Sequence, residues 1–285
     1  MKKLFFIISA ICFSMNMLAQ DASSSTSNSR KVRVGILVRG TPSWYNTDKS
    51  NYYKSAGAVF GYGFGLSLEF KLNEVLAFKT GVGGDFDGGK INYTYSVSNN
   101  GNNINDIYTA YLMNKTPQII EIKGTKPNQL TTVNSTNYLK SRHISTSYVT
   151  IPVILKMMTK EISGFKYYVD FGANIGVLVG AKTTDDVLQS TVSSSALSSV
   201  KNSGLNVYNE CIPIRAGLNV GLGAEYRLAG TTSLFFGASF VNSFIPVLKS
   251  NSVNNYNNID GNGNFIVAKQ SAKPMGIQIN IGVMF

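Results

Sequence analysis

From residue 165 to residue 181 the chain reads FKYYVDFGANIGVLVGA, and its odd positions (Tyr167, Val169, Phe171, Ala173, Ile175, Val177, Val179) are all apolar. The even positions are mostly charged, polar or small, with Lys166, Asp170, Asn174 and the glycines Gly172, Gly176 and Gly180 among them. A period of two over this length is a strand with one apolar and one polar face. Ordinary globular strands run to about 5–6 residues, whereas a strand that crosses a bilayer needs about 9–11. The stretch predicts a membrane-crossing β-strand, with aliphatic residues toward lipid and glycine, amide and charge toward a barrel interior.

The same alternation recurs in residues 32–38, 60–72, 75–86, 148–157, 214–228, 233–245 and 275–285. Short links follow the second, fourth and sixth strands, and long polar stretches follow the first, third, fifth and seventh. An even strand count with alternating short and long connections is the layout of outer-membrane barrels, which have short periplasmic turns and long outer loops. With eight strands the interior is just wide enough for side chains to fill. The predicted fold is all-β: an eight-stranded antiparallel transmembrane β-barrel over residues 31–285, in the bacterial outer membrane with both termini periplasmic. A soluble lipocalin-like barrel is the structural rival. Residues 87–146, 183–209 and 247–273 read as outer loops, with 91–97 and 118–122 alternating well enough to extend strands. Pro152, which lacks an amide proton, predicts irregular pairing in the fourth strand.

At the N-terminus Lys2 and Lys3 precede an apolar run over residues 4–13 and a small residue, Ala19. This is the pattern of a secretory signal peptide over residues 1–19, followed by a Ser/Thr-rich disordered lead over 20–30. Cleavage leaves Cys211 as the sole cysteine, so no intrachain disulfide is expected. The chain is 44% hydrophobic and 14% charged with 27 glycines. High apolar content with no later run of about 18 apolar residues suits strands that hide half their residues from a hydropathy window. The net charge of +11 is spread along the chain rather than clustered, which argues against nucleic acid and for acidic glycans or proteins met by the loops.

The inward positions hold Arg33, Arg39, Lys71, Lys79, Lys156, Lys166, Arg215 and Arg227 against Glu69, Asp85, Asp170 and Glu225. Charges in a crowded interior must pair, so a structural ion-pair network is expected; the basic excess also permits a narrow anion-favouring conduit. Gly61, Gly63 and Gly65 lie inside a strand pattern, not between strand and helix as a nucleotide loop requires. The Asp85–Gly89 run lacks EF-hand spacing and reads as a strand-ending turn. His143 stands beside Arg142 with no Ser/His/Asp arrangement around it and reads as a solvated loop residue. Cys211 reads as a lone thiol near the outer rim, and Tyr45, Tyr62, Tyr167 and Phe244 as interfacial girdle residues. No catalytic, metal-ligating or cofactor-binding constellation is legible. The partners these residues imply are outer-membrane lipid and an extracellular glycan or protein.

Two stretches carry a family resemblance. The run Tyr148-Val-Thr-Ile-Pro-Val-Ile-Leu-Lys156 resembles the Tyr-x-x-Ile-Pro strand leading to Lys in the PorT-like outer-membrane β-barrel proteins of the Bacteroidetes type. Thr150 departs from it, standing where an acidic residue is common. The last alternation, with Ile281, Val283 and Phe285 on one face, looks like the aromatic-ending signal that outer-membrane assembly machinery reads. The resemblance implies a non-enzymatic barrel, with the outer-membrane assembly machinery and envelope secretion proteins as partners, and a part in secretion or envelope assembly; a surface-binding protein or adhesin using the long basic loops is the alternative, and a small pore a third.

Overall fold

A computed structural model describes residues 31–48, 52–93, 105–111, 113–123, 137–191, 194–249, 255–259, 265–266 and 270–285. The expected signal peptide and polar lead lie outside the described residues. Eight long strands carry the fold: β1 (Val32–Thr47), β2 (Val59–Lys71), β3 (Leu76–Tyr93), β4 (Asn137–Met158), β5 (Phe165–Thr191), β6 (Ile214–Ala229), β7 (Thr232–Ser243) and β8 (Ala272–Met284). Each pairs antiparallel with the next. β1 also pairs with β8, with Val38 opposite Ile281, so the sheet closes on itself. The result is an eight-stranded antiparallel β-barrel.

The short links are tight hairpins. At residues 72–75 the Asn73 side chain accepts the Val75 amide at 2.9 Å. At the other two turns Gly164 (φ 83°) and Gly230 (φ 54°) adopt the left-handed conformation that glycine tolerates without a Cβ penalty. Opposite Pro152 the β3–β4 ladder is interrupted, between Lys79–Ile154 and Gly83–Thr150. The outward side chains of all eight strands form a continuous apolar belt, including Ile36, Phe64, Val82, Ile151, Phe171, Leu222, Phe236 and Ile279. A belt of this area cannot face water and marks the lipid-contacting surface.

Three strands run well past the belt at the long-loop end. β4 spans 22 residues and β5 spans 27, where about 9–11 suffice to cross. Residues 183–191, expected in a loop, instead pair with a further strand, Ser194–Asn206. The stretch 137–146 likewise belongs to β4, and 87–93 to β3. Three smaller strands sit on this extension: Tyr53–Ser55 pairs with β3, and Asn105–Ala110 pairs with Gln118–Lys123 and, at Ala110, with Tyr138 of β4.

Residues 91–93 and 118–122, expected to extend strands, are strand, and 94–97 lie outside the described residues. The stretches 137–146 and 183–191 escaped the alternation rule because their polarity is reversed. Along β4 the outward set changes from Val149, Ile151 and Val153 to Ser141, His143, Ser145 and Ser147, while the inward set changes from Thr150 and Lys156 to Leu139, Ile144 and Tyr148. Above the belt the outside is water and the inside is a protein core. A β-bulge at Ser147/Tyr148 also switches the outward parity of β5, from Val177 and Val179 to Lys182 and Thr184.

Two apolar clusters lie inside the barrel. One, near the short turns, joins Leu37, Ala77, Met158, Tyr168, Phe235 and Met284. The larger one fills the long-loop end and includes Tyr45, Tyr53, Ile91, Tyr93, Leu139, Ile144, Tyr148, Leu178, Val187 and Leu248.

Candidate functional site

Inward alternation on β1, β2, β4 and β6 brings Arg33, Glu69, Lys156 and Glu225 into one buried quartet. Arg33 donates to Glu225 at 3.0 Å and also bonds Glu69; Lys156 donates to Glu69 at 2.8 Å and also bonds Glu225. Each acid therefore touches both bases. Beside the quartet, Lys79 donates to Asp170 at 3.0 Å. The Tyr168 ring lies 4.4 Å from the Lys156 ammonium and 6.0 Å from that of Lys79. Nearer the long loops, Asp85 contacts Arg39 at 3.1 Å and Arg215 at 3.3 Å, and Arg215 reaches Asp87 at 2.5 Å while lying 4.1 Å from the Tyr148 ring centre.

These clusters join the bases Arg33, Arg39, Lys79, Lys156 and Arg215 to the acids Glu69, Asp85, Asp87, Asp170 and Glu225, one for one. The basic excess expected inside is confined to the short-turn rim, and the paired interior holds one acid more than expected. Asp87, which the loop reading left out, turns inward from β3 and joins Arg215. Arg227 shares the strand parity of the inward Glu225, but it lies at the short-turn rim, where its side chain is 60% exposed and meets Glu161 at 3.2 Å. Lys71 and Lys166 lie half-buried near that same rim, with no ion pair among the described residues. A small, largely apolar cavity of about 40 Å³, bordered by Leu218, Val241 and Met275 as well as by Thr41, Asn174, Arg215 and Gln278, lies beside the Arg215–Asp87 pair.

The long-loop end is cross-bonded from separate connections. Arg142 and Asp185, both fully buried on β4 and β5, form a two-pronged pair at 2.8 and 2.7 Å, and Arg142 also donates to the Lys115 carbonyl at 2.8 Å. Burial opposes the Arg142 charge most strongly, but the bond to Asp185 and the electrostatic pull of Tyr93, Asp185 and Tyr111 together raise the pKa. Glu210 accepts the Thr116 amide at 2.9 Å together with the Thr116 hydroxyl. Gln270 donates to the Tyr93 hydroxyl at 2.6 Å, and the Ser271 amide donates to the Tyr53 hydroxyl at 2.8 Å. None of these pairings could be read from the sequence, since nothing in spacing links residues 43 positions apart in polar stretches.

Other expected residues fall elsewhere than the sequence suggests. His143 is not in a solvated loop: it sits on β4 with Nε2 buried and without a hydrogen-bond partner, and burial, then Lys90 and Lys201, hold its pKa down. Cys211 lies at the long-loop end just before β6 but is buried, its backbone bridged to Leu248, and burial lifts its thiol to about 11. Tyr45 is buried inside, whereas Tyr62, Tyr167 and Phe244 do face outward. Ile281 and Phe285 are exposed on the outward face at the end of the chain, with Val283 partly covered between them.

A closed barrel with a lipid-facing belt and an interior filled by paired charge and apolar side chains defines an integral membrane protein of the outer-membrane type. The chain belongs to the outer membrane protein beta-barrel domain family, whose profile matches residues 13–249, and it is a protein of the bacterial outer membrane. No curated protein matches it. Among solved structures it is similar to Neisserial surface protein A (11% identity, 88% of this chain and 95% of that one, TM-score 0.33). It is also similar to Ail, the attachment invasion locus protein of Yersinia pestis (13%, 90% and 100%, TM-score 0.30), and to the outer membrane protein OprG from Pseudomonas aeruginosa (12%, 88% and 95%, TM-score 0.34).

Proposed function

We propose that this protein is a non-enzymatic, non-conducting barrel whose long-loop end projects from the cell surface and binds an acidic glycan there. The observation that carries the reading is the cross-bonded β-extension above a barrel closed by matched ion pairs. A pore has no use for a mouth filled by Tyr45, Tyr93, Leu139 and Ile144, whereas a binding platform needs that rigidity. Charge supplies the ligand class. Lys54, Lys90, Lys115, Lys140, Lys182, Lys201 and Lys249 are exposed at this end, which attracts polyanions.

The secretion or envelope-assembly role implied by the Tyr148–Lys156 resemblance draws no support from those residues. Tyr148 stacks on Arg215 and Lys156 holds the quartet, so both are spent inside the barrel. The reading is tested on refolded protein in detergent. Binding to an immobilised uronic-acid polysaccharide should weaken as salt rises and drop on Lys54→Glu, Lys115→Glu and Lys140→Glu combined. Binding that ignores both salt and charge reversal defeats it. In planar bilayers the protein should give no discrete conductance steps.

A further inference from the structure

The border between belt and extension is interrupted at one place on the outer wall. β5 pairs with β6 as far as Val177–Ile214 and with the strand Ser194–Asn206 only from Lys182–Asn206 onward. Between them residues 178–181 are bridged by the crossing chain: the Leu178 amide donates to the Pro213 carbonyl at 2.8 Å, and the Val207 amide to the Ala181 carbonyl at 3.1 Å. On the other flank the β4–β5 bulge leaves Val179 without a partner. The outcome is a surface hollow of about 350 Å³ bordered by Ser145, Ser147, Val179, Gly180, Lys182 and Tyr208.

The chemistry of this hollow is split by height. Val179 is 58% exposed and continues the lipid-facing row of Ile175 and Val177 below it. Lys182 stands above, directly opposite Ser145 in the ladder, exposed and without an acidic partner among the described residues. Tyr208 walls one side, its hydroxyl donating to the Leu178 carbonyl at 3.4 Å. Gly180 leaves the space open: a Cβ there would meet nothing nearer than Ser147 at 3.9 Å.

We propose that this hollow holds a single phosphorylated glycolipid of the outer leaflet. An acyl chain lies along Val177 and Val179, a phosphate meets Lys182, and the Ser145 and Ser147 hydroxyls and the Tyr208 ring take the sugar. The apolar floor is continuous with the lipid-contacting belt, so a membrane lipid reaches it without leaving the bilayer. The unmatched Lys182 ammonium sets the sign of the headgroup. Naming the outer leaflet rests on the orientation proposed above; the site itself does not.

The test uses full-length mature protein in nanodiscs of neutral lipid, where both leaflets are alike, doped with a lipid A-type glycolipid and read by native mass spectrometry. One retained glycolipid per barrel is expected. Lys182→Glu and, independently, Gly180→Leu should each weaken retention about tenfold, the loss of one charge-assisted contact or of its space, while Lys182→Arg retains it. A dephosphorylated glycolipid should bind about as poorly as the Lys182→Glu protein does. Equal retention by wild type and both variants overturns the site, and equal retention of phosphatidylglycerol overturns the glycolipid assignment. Orientation is read separately, by protease applied to intact cells: cleavage confined to the short turns would reject the surface reading while leaving the hollow's lipid result standing.

Discussion

Glu69 and Glu225 each lie between Arg33 and Lys156, and removing either acid leaves two buried cations sharing one anion. Breaking a buried pair by deleting one partner typically costs ~3–5 kcal/mol, because the remaining charge is left without compensation. Glu225→Gln, which keeps the volume, should therefore lower the unfolding free energy of the protein in micelles, read from urea titration, by that order. Replacing both members of the Lys79–Asp170 pair with apolar residues of similar size should be neutral or stabilising, since no orphan charge is created; comparable losses in the two experiments would show that pairing is not what matters. Cys211 gives a residue-scale prediction in pH. Burial, opposed by Arg142 and aided by Glu210, keeps the folded thiol protonated to about 11 against an ordinary 9.0. Between these values the native state binds more protons than the unfolded one, so stability falls as pH rises through that window. In the same protein, maleimide at pH 8 should label Cys211 only after unfolding.

Among the strands, glycine marks where interior side chains cross the barrel. A Cβ on Gly223 or Gly237 would come within 2.4 Å of the Tyr168 hydroxyl, so the two glycines on β6 and β7 make the bed in which the Tyr168 ring lies. That ring in turn flanks Lys156 and Lys79, and its hydroxyl donates to the Phe236 carbonyl at 3.2 Å. Gly223→Val should displace Tyr168 and destabilise the barrel by about 1–3 kcal/mol, the usual cost of overpacking, measured as a shift in thermal midpoint. Gly180→Leu, which points into the open hollow, serves as the control and should leave the midpoint nearly unchanged. Glycines that alternate alike in sequence thus differ in cost according to what lies across from them.

The molecule as a whole is one closed ladder, and closure leaves none of the eight barrel strands with a free edge in the membrane. Such a barrel opens all at once. Unboiled protein should run faster than boiled protein on a detergent gel, and a sample whose two bands coincide would contradict the closed barrel. The strands also reverse polarity along their length, apolar outside through the bilayer and apolar inside beyond it. This reversal lets one set of strands serve two solvents, and it explains how β5 reaches about 40 Å past its last lipid-facing residue, Val179, without exposing an apolar sheet.

How much of this was legible follows from what alternation reports. Period-two patterning is a local property, so residues 165–181 and their seven counterparts identified the membrane strands, the order of short and long links, and the inward positions of Arg33, Glu69, Lys156 and Glu225. Alternation says which side a residue faces, but not what waits on that side. Which bases meet which acids depends on shear around the closed barrel, and only the tertiary structure set Asp87 beside Arg215 and Arg227 beside Glu161 at the rim. Beyond the alternation at 91–93 and 118–122, the extension was hidden for the same reason: the sign of the alternation encodes the surrounding medium, and that medium changes from lipid to water partway along β4 and β5. The sequence by itself determined a barrel and its membrane belt, because lipid acts on every strand alike. The pairing inside it and the β-extension above it were decided by contacts between residues far apart in the chain, which no local pattern records.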